Sequence, residues 1–224
     1  MDKLEEKLGY VFRDGALLKT ALTHSSWANE NKKSGLACNE RLEFLGDSIL
    51  GFTVAEFLYQ NEPDMPEGQM TRIRAELVCE RSLENAANTL ELGACLKLGR
   101  GEELGGGRRR PSILADAFEA VVAAVFLDGG IDAAKAMVTR FVLSGRDEAV
   151  KAACDYKTLL QELVQRKSGQ TLSYHMIGES GPDHMKQFSV EVRLNGEARG
   201  AGTGRNKKEA EQAAARVAYE AMMK

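Results

Sequence analysis

Three acidic residues near the start of a predicted helix have the spacing of a carboxylate cluster. Glu40, Glu43 and Asp47 stand at positions i, i+3 and i+7, so a helix would carry all three on one stripe of its surface. Leucine and isoleucine residues at similar spacing form another stripe that can face a core. Stacked like charges cost about 0.2–0.5 kcal/mol per pair. We therefore expect an interaction that compensates them, and within the run NERLEFLGDSIL only Arg41 is basic.

A second pair of carboxylates lies in a segment that is otherwise apolar. Asp116 and Glu119 are one helical turn apart in the run SILADAFEA. Two buried acids are costly unless they are paired or bind a metal. Oxygen ligands from two facing helices suit Mg(II) or Mn(II), and two such ions roughly 4 Å apart can activate water for phosphodiester hydrolysis. Spacing alone also allows a solvated acidic face with a salt bridge to Arg72, Arg74 or Arg81.

The region that carries these acids, residues 1–150, is predicted to be all-α. Apolar residues recur there at helical spacing, and clusters of Gly, Pro, Asn and Asp separate the periodic segments. No alternating strand pattern of useful length occurs in this region. We expect helices over Leu17–Leu22, Leu42–Leu58, Ile73–Leu90, Ile113–Phe126 and Ala133–Leu143.

The pattern changes after a short linker around Ser144–Asp155. The order of elements from residue 155 to 224 is α-β-β-β-α, which predicts a small α+β domain. Asn195-Gly196 is a strong signal for a tight hairpin between the last two strands. We expect helices over Lys157–Lys167 and Lys207–Met222, and strands over Thr171–Gly178, Gln187–Leu194 and Glu197–Gly202.

The composition is that of a folded protein with one large or two modest domains. The chain has 224 residues, of which 43% are hydrophobic and 28% are charged. The net charge of −3 does not by itself suggest a nucleic-acid partner. The charge is uneven, because residues 155–224 hold 11 basic and 9 acidic residues and the rest of the chain holds 19 and 24. The two regions are therefore expected to have different roles.

Targeting features favour a cytoplasmic protein that does not enter a membrane. The N-terminus is charged and lacks the apolar stretch of a signal peptide. The longest apolar run, Ala120–Leu127, is too short to span a bilayer. The four cysteines are widely spaced and form no C-x-x-C pair, which argues against a zinc site and against a disulfide framework.

Several motifs together resemble the ribonuclease III family. NERLEFLGDSIL at 39–50 resembles the family signature, and SILADAFEA at 112–120 resembles its second acidic block. LTHSS at 22–26, MPEGQMTRIRAELV at 65–78 and GEELGGGRRR at 101–110 are further similarities. The C-terminal region, with GTGRNKKEAEQAAA, resembles the double-stranded-RNA-binding domain of the simple bacterial enzymes. The resemblance covers nearly the whole chain in the right order.

The resemblance implies a homodimeric, helical nuclease domain in which each subunit carries one metal cluster and cuts one RNA strand. The expected products have 5′-phosphate and 3′-hydroxyl ends with two-nucleotide 3′ overhangs, and the expected substrates are precursors of ribosomal RNA and other structured RNAs. Mg(II), for which Mn(II) can substitute, is the implied cofactor. Carried over residue by residue, the catalytic metal ligands are Glu43, Asp47, Asp116 and Glu119, with Glu40 and Glu67 as supporting acids.

Three features of the C-terminal region suit a reader of A-form RNA, which contacts 2′-hydroxyl groups and phosphates. The first is a polar stripe on the first helix, formed by Thr158, Gln161, Glu162 and Gln165. The second is the loop at 178–186, which contains His184. The third is a cluster at the start of the last helix, whose dipole adds to the attraction for phosphate; it consists of Arg205, Lys207 and Lys208, with Asn206 as the helix cap.

Other glycine-rich and basic segments are less specific. Gly200, Gly202 and Gly204 lack the spacing of a nucleotide-binding loop, so no nucleotide cofactor is expected. The loop that ends in Arg108, Arg109 and Arg110 is either a flexible solubilising segment or a contact to the RNA backbone. The segment at 23–26 is interpreted as a helix end, with an RNA contact as the alternative.

Two other functions compete with a Mg(II)-dependent endoribonuclease. A catalytically inactive double-stranded-RNA-binding scaffold would have the same fold, but all four acids of the metal cluster are present. A helical phosphohydrolase for small nucleotides would typically have histidine ligands near the acids, and the three histidines lie far from the acidic motifs in sequence. It would also leave the C-terminal region unexplained.

Overall fold

The periodic apolar segments of the first 150 residues form helices. The computed structural model describes residues 2–153, 155–166, 169–182 and 186–223, and the chain divides into two units, Met1–Ala153 and Cys154–Lys224. The helices of the first unit are α1 (Asp2–Leu8), α2 (Gly15–Ala21), α3 (Ser25–Glu30), α4 (Glu40–Asn61), α5 (Glu67–Leu77), α6 (Glu80–Thr89), α7 (Leu92–Cys95), α8 (Arg100–Leu104), α9 (Pro111–Phe141) and α10 (Arg146–Ala153). The prediction of an all-α first unit is confirmed. None of the helices that the structure describes is both long and apolar enough to cross a membrane.

Helix α9 forms the centre of the first core. Every residue from Ala120 to Val125 is fully buried, so this part of α9 is enclosed around its whole circumference. Helix α4 packs against it and buries Leu50 and Val54, and helices α2 and α6 also contact it. Because Asp116 and Glu119 directly precede the buried run, the packing of the core fixes their position.

Several helix boundaries differ from the sequence prediction, and most of the predicted linker around Ser144–Asp155 is helix α10. The predicted helix Ile73–Leu90 is two helices, α5 and α6, because the backbone is extended at Cys79, with φ −72° and ψ 156°. The predicted helices Ile113–Phe126 and Ala133–Leu143 are the two arms of α9, which bends at Gly130. The φ of Gly130 is 81°, a conformation that glycine adopts readily. The turn signal in this part of the sequence therefore marks a bend within one long element.

A short backbone pairing attaches the start of α4 to the segment before α3. Thr23 and Lys97 form an isolated parallel β-bridge. Asn39, which immediately precedes α4, donates its N–H to the Thr23 carbonyl at 2.8 Å. Thr23 and Asn39 are both buried, so these bonds belong to the interior.

The second unit has the predicted α-β-β-β-α order. Its elements are α11 (Tyr156–Gln165), β1 (Leu172–Ser180), β2 (Gln187–Leu194), β3 (Glu197–Gly204) and α12 (Lys207–Met222). The strands are antiparallel in the order β1-β2-β3, and the two helices pack on one face of the sheet. Leu160 of α11 and Val192 of β2 are buried in the core between them. Asn195 and Gly196 have φ values of 52° and 86°, which is the geometry that the predicted tight hairpin requires.

Helix α11 and strand β1 end at different residues from those predicted. Helix α11 ends at Gln165, and the predicted end, Lys167, lies outside the described residues. Strand β1 continues to Ser180 because residues 178–180 still pair with β2 after a register shift between Met176 and Gly178. The first residues of the predicted 178–186 loop therefore belong to the sheet.

Three glycines of β3 allow close packing of the strand against α12. A Cβ atom at Gly200, Gly202 or Gly204 would lie 2.6, 2.3 or 2.5 Å from the nearest backbone atom of that helix. Any larger residue would push the helix away from the sheet. This contact gives a structural reason for the glycine spacing, which is distinct from that of a nucleotide loop.

Another glycine allows α4 and α9 to approach at the level of the acids. Gly46 is buried, and a Cβ atom there would lie 2.0 Å from the carbonyl oxygen of Glu119. The two helix backbones are therefore in direct contact. Because Gly46 lies one turn after Glu43 on α4, this contact brings the two acidic segments together.

We predict that Gly46→Ala lowers the free energy of unfolding by about 1–3 kcal/mol or more, because the added methyl group must separate two packed backbones. Gly51→Ala on the same helix is the matched control, since no heavy atom lies within 4 Å of its Cβ position. The control should stabilise the chain by up to about 1 kcal/mol through helix propensity. Urea denaturation measures both variants, and an equal effect at the two positions would contradict the close approach.

Candidate functional site

Three carboxylates from two helices meet in one cluster. Glu43 of α4 and Asp116 and Glu119 of α9 each offer an oxygen atom, and these atoms all lie within 4.8 Å of one another. All three side chains are partly buried. The spacing within α9 places Asp116 and Glu119 on one face of that helix, and the Gly46 contact brings Glu43 to them.

Burial raises the pKa values of all three acids, and the charges of neighbouring acids raise those of Glu43 and Glu119 further. Burial is the largest effect and raises the pKa of Glu119 from 4.5 to about 8, with further increases from the charges of Asp47, Asp116 and Glu43. The pKa of Glu43 is also raised, first by burial and then by Asp116, Glu40 and Asp47. Every charge that shifts the pKa of Glu119 is therefore acidic. A buried salt bridge, the alternative that spacing allowed, would lower these pKa values instead.

The chemistry of this donor set fits a hard divalent cation. Carboxylate oxygens are the ligands that Mg(II) and Mn(II) prefer. A cation would relieve the repulsion that raises the pKa of Glu119, and it would favour the ionised forms of Glu43 and Asp116 as well. Arg81, one of the basic partners considered from the sequence, pairs with Glu76 instead, at 3.8 Å.

The other predicted acids lie at different distances from the cluster. Asp47 is exposed on the next turn of α4 and is not one of the three clustered ligands, but it is the charge that raises the pKa of Glu119 most. Glu40 is exposed and raises the pKa of Glu43. Glu67 begins α5 and accepts a hydrogen bond from Thr71 Oγ1 at 2.8 Å. Among the described residues, the cluster does not include Glu67.

Two charged residues that act on Asp116 were not predicted from the sequence. Burial raises the pKa of Asp116, the charge of His24 lowers it and the charge of Glu80 raises it. The distance in sequence between the histidines and the acids was therefore misleading for His24. Its Nδ1 accepts from Ser26 N at 3.2 Å and caps α3, which confirms the helix-end interpretation. The helix-cap motif in the sequence does not indicate that the imidazole ring of His24 lies near Asp116.

The arginine-rich loop is held by ion pairs. Arg108 pairs with Glu103 at 2.6 Å and donates to three backbone carbonyl groups of the α7 region. Arg110 pairs with Glu102 at 2.7 Å, and Arg109 is exposed. The loop that its three glycines predicted to be flexible is thus held by ion pairs, and both Arg109 and Arg110 are exposed.

The predicted RNA-binding residues of the second unit lie on its surface where the structure describes them. The stripe on α11 is exposed at Thr158, Gln161, Glu162 and Gln165. The start of α12 is exposed at Arg205, Asn206, Lys207 and Lys208. His184 lies outside the described residues.

The cap of α12 is confirmed in detail. Asn206 Oδ1 accepts from Glu209 N at 2.9 Å, and Asn206 Nδ2 donates to Glu209 Oε1 at 2.8 Å. Glu209 Oε2 also accepts from Arg205 N at 3.0 Å. This arrangement is a variant of the capping box, in which the Glu209 carboxylate accepts from the Asn206 side chain and from the N–H of Arg205. It fixes the backbone from which Lys207 and Lys208 project.

Comparisons with known proteins match both units. A family model described as Ribonuclease-III-like matches residues 14–145, and one described as double-stranded RNA binding motif matches residues 156–222. Ribonuclease 3 of Pelotomaculum thermopropionicum is 50% identical, over 96% of this chain and 90% of its own length. Ribonuclease 3 of Oceanobacillus iheyensis is 51% identical, over 98% of this chain and 96% of its own.

Solved structures give the same result for the first unit. The nuclease domain of ribonuclease III from Campylobacter jejuni superposes with a TM-score of 0.60 and 40% identity, over 65% of this chain and 95% of that one. A second structure of that nuclease domain concerns structural flexibility in a region involved in its dimer formation; it is 41% identical over 63% of this chain and 94% of that one, with a TM-score of 0.59.

We predict that without divalent cations the protein loses thermal stability as pH rises from about 5 to about 8. Glu119 ionises near 4.5 when unfolded and near 8 when folded, so folding takes up a proton in this interval. The contribution of Glu119 to the stability of the folded chain is full below its unfolded pKa and is lost as pH rises through its folded pKa. Glu119→Gln should show a smaller slope, measured as the melting temperature against pH in a chelator.

Added Mg(II) is the control for this measurement. It should raise the melting temperature of the wild type more at pH 8 than at pH 6, because a cation binds the ionised carboxylates. Equal pH slopes for the wild type and Glu119→Gln would refute the raised pKa.

Proposed function

Because this chain belongs to the ribonuclease III family, we propose that it is a double-strand-specific endoribonuclease that uses a divalent metal. One observation supports this most directly: three partly buried carboxylates converge within 4.8 Å in the unit that matches the nuclease family model. We assign nuclease activity to residues 1–150 and duplex binding to residues 155–224. The second unit matches the double-stranded RNA binding motif and supports the choice of substrate.

Glu43, Asp116 and Glu119 would hold the cation, with Asp47 as the nearby fourth acid. Mg(II) is the proposed ion, and Mn(II) is the proposed substitute, since it binds a given ligand set more tightly. Two bound ions would lower the pKa of an attacking water and neutralise charge on the phosphate. Glu119 suits the role of metal ligand, because a bound cation would convert it from its protonated to its ionised form near neutral pH.

The residues around the metal ligands fix their geometry. The Gly46 contact sets the distance between Glu43 and α9, and the buried run of α9 prevents the acids from moving apart. Exposed Asp47 and Glu40 add negative charge that favours cations at the cluster. We propose 5′-phosphate and 3′-hydroxyl products with two-nucleotide 3′ overhangs, and a cytoplasmic role on ribosomal RNA precursors and other structured RNAs.

A homodimer is proposed from the exposed face of α4. Phe44, Phe52 and Tyr59 lie on this helix and are 78%, 54% and 77% exposed. A groove of about 470 Å³ lies between α4 and α5, and Phe52 and Tyr59 line it together with Glu67 and Met70. Large apolar side chains exposed along one helix are typical of interaction surfaces. A second copy of the chain would cover them and, across the two-fold axis, would place two acid clusters in one assembly.

Duplex RNA binding is assigned to the exposed residues of α11 and the start of α12. The stripe on α11 offers hydroxyl and amide groups, which suit 2′-hydroxyl contacts. Arg205, Lys207 and Lys208 surround the N-terminus of α12, where cations and the helix dipole both attract phosphate. Arg109 is the proposed contact from the arginine-rich loop.

We predict that Glu119→Gln lowers cleavage of duplex RNA by several orders of magnitude, because a neutral amide is a much weaker ligand for Mg(II). Duplex affinity should be unchanged or tighter, since Glu119 is not one of the proposed RNA-binding residues and the change removes a negative charge. Single-turnover cleavage of a labelled hairpin in Mg(II) and a gel shift in Ca(II) at fixed salt measure the two effects. Raised Mn(II) should restore part of the activity.

Glu148→Gln is the matched control for this experiment, because Glu148 is an exposed acid of α10 outside the cluster. It should leave cleavage and binding unchanged. Cleavage by Glu119→Gln at the rate of the wild type would remove this residue from the metal site. A folded wild type that binds duplex RNA without cutting it in Mg(II) would favour the inactive scaffold.

We predict that Phe44→Ser shifts the protein from dimer to monomer at micromolar concentration, because it removes the most exposed apolar side chain of α4. Val11→Ser is the matched control, since Val11 is equally exposed at 77% but lies outside α4. Sedimentation velocity measures the assembly of each variant. A monomeric wild type, or equal effects of the two variants, would exclude this interface.

A further inference from the structure

A groove of about 430 Å³ opens between α11 and the start of β1 in the second unit. Gln161 and Gln165 line it from the helix, and Gln170, Thr171 and Tyr174 line it from the segment that leads into the strand. Gln161 and Gln165 also belong to the exposed stripe assigned to RNA. The groove therefore opens beside the proposed RNA-binding face.

Two polar atoms of the groove residues are buried without a hydrogen-bond partner among the described residues. They are Tyr174 Oη and Gln170 Oε1. Buried polar groups in folded proteins are nearly always paired, and leaving one unpaired costs stability. Burial, followed by the charges of Glu211 and Asp155, raises the pKa of Tyr174 to about 12. The phenol therefore remains a neutral hydroxyl that can donate and accept.

The charge of the groove is already balanced. Lys157 Nζ lies 2.5 Å from Glu211 Oε2 and 4.8 Å from the centre of the Tyr174 ring. The other polar groups of the lining are uncharged amides and hydroxyls, and Val164 and Leu172 add apolar walls. Among the described residues that line the groove, a phosphate would find no uncompensated cation. A flat, uncharged ligand could pack against the apolar walls, and hydrogen-bond donors and acceptors at its edge could pair with the glutamine amides.

We propose that this groove binds an unpaired nucleobase of an RNA whose duplex lies on the α11 stripe. Nucleobases are flat and uncharged, and glutamine side chains pair well with their edges. A base within a duplex is stacked and cannot enter, whereas one in a bulge or loop is free to do so. The inference rests on the proposed duplex binding and adds a preference for duplexes that carry an unpaired nucleotide.

The test compares two RNA duplexes that differ by one bulged nucleotide. Fluorescence anisotropy with the full chain in Ca(II), at fixed salt, gives the ratio of the two dissociation constants. The wild type should bind the bulged duplex about three- to tenfold more tightly, the size expected for one or two hydrogen bonds. Tyr174→Phe should bring the ratio close to one while affinity for the fully paired duplex is unchanged.

Tyr219→Phe is the matched control, because it removes the same atom from a tyrosine of the same unit that does not line the groove. It should keep the preference of the wild type. The melting temperature of Tyr174→Phe should be unchanged or higher, since the lost hydroxyl has no partner in the described protein. Gln170→Met removes the other unpaired atom and should also reduce the ratio, which gives a second measurement if Tyr174→Phe fails to fold.

Each outcome decides one of the two proposals. Equal binding of both duplexes by the wild type, or equal losses on both duplexes in Tyr174→Phe, would overturn the nucleobase site and leave duplex binding in place. A wild type that binds neither duplex would overturn the proposed function itself.

Discussion

The burial of neighbouring carboxylates is the constraint on which the site of the first unit depends. The oxygens of Glu43, Asp116 and Glu119 lie within 4.8 Å of one another, and burial, followed by the charges of Asp47, Asp116 and Glu43, raises the pKa of Glu119 to about 8. Isolated helices would separate these charges. They stay together because the α4 and α9 backbones touch at Gly46 and because the following turns of α9 are fully buried. The stability of the core therefore maintains an arrangement that is electrostatically unfavourable until a cation binds.

The second unit has clustered basic residues where the first unit has clustered acids. It must present cations to solvent at a helix start, where the dipole disfavours them. The capping box of Asn206 and Glu209 offsets this by pairing the free N–H groups and by placing a carboxylate in the first turn. Lys207 and Lys208 can then remain exposed. The acid cluster is thus maintained by the Gly46 contact in the first unit, and the basic helix start is stabilised by the Asn206–Glu209 cap in the second.

The sequence predicted the features that depend on local residue pattern, such as helices and the faces of helices. It did not predict contacts between segments that are distant in sequence. Helical periodicity identified the buried run of α9, and the spacing of Asp116 and Glu119 placed them on one face. The approach of Glu43 could be inferred from family resemblance but not from spacing, because it depends on a contact between distant backbones. His24 and Glu80 were missed for the same reason: each lies near Asp116 only in the folded chain. Strand β3 was predicted to end at Gly202 but continues to Gly204, because a glycine at the end of a strand gives little strand signal.

The glycines of β3 also bear on how the second unit folds. Glycine has a low preference for extended structure, because it loses much backbone freedom and offers no side chain to pack. Strand β3 has three of them in alternate positions, and each lies against the backbone of α12. The strand therefore gains little from pairing with β2 alone and much from the docked helix. We infer that β3 and α12 order in one cooperative step, and that loss of the helix would release the edge of the sheet as well.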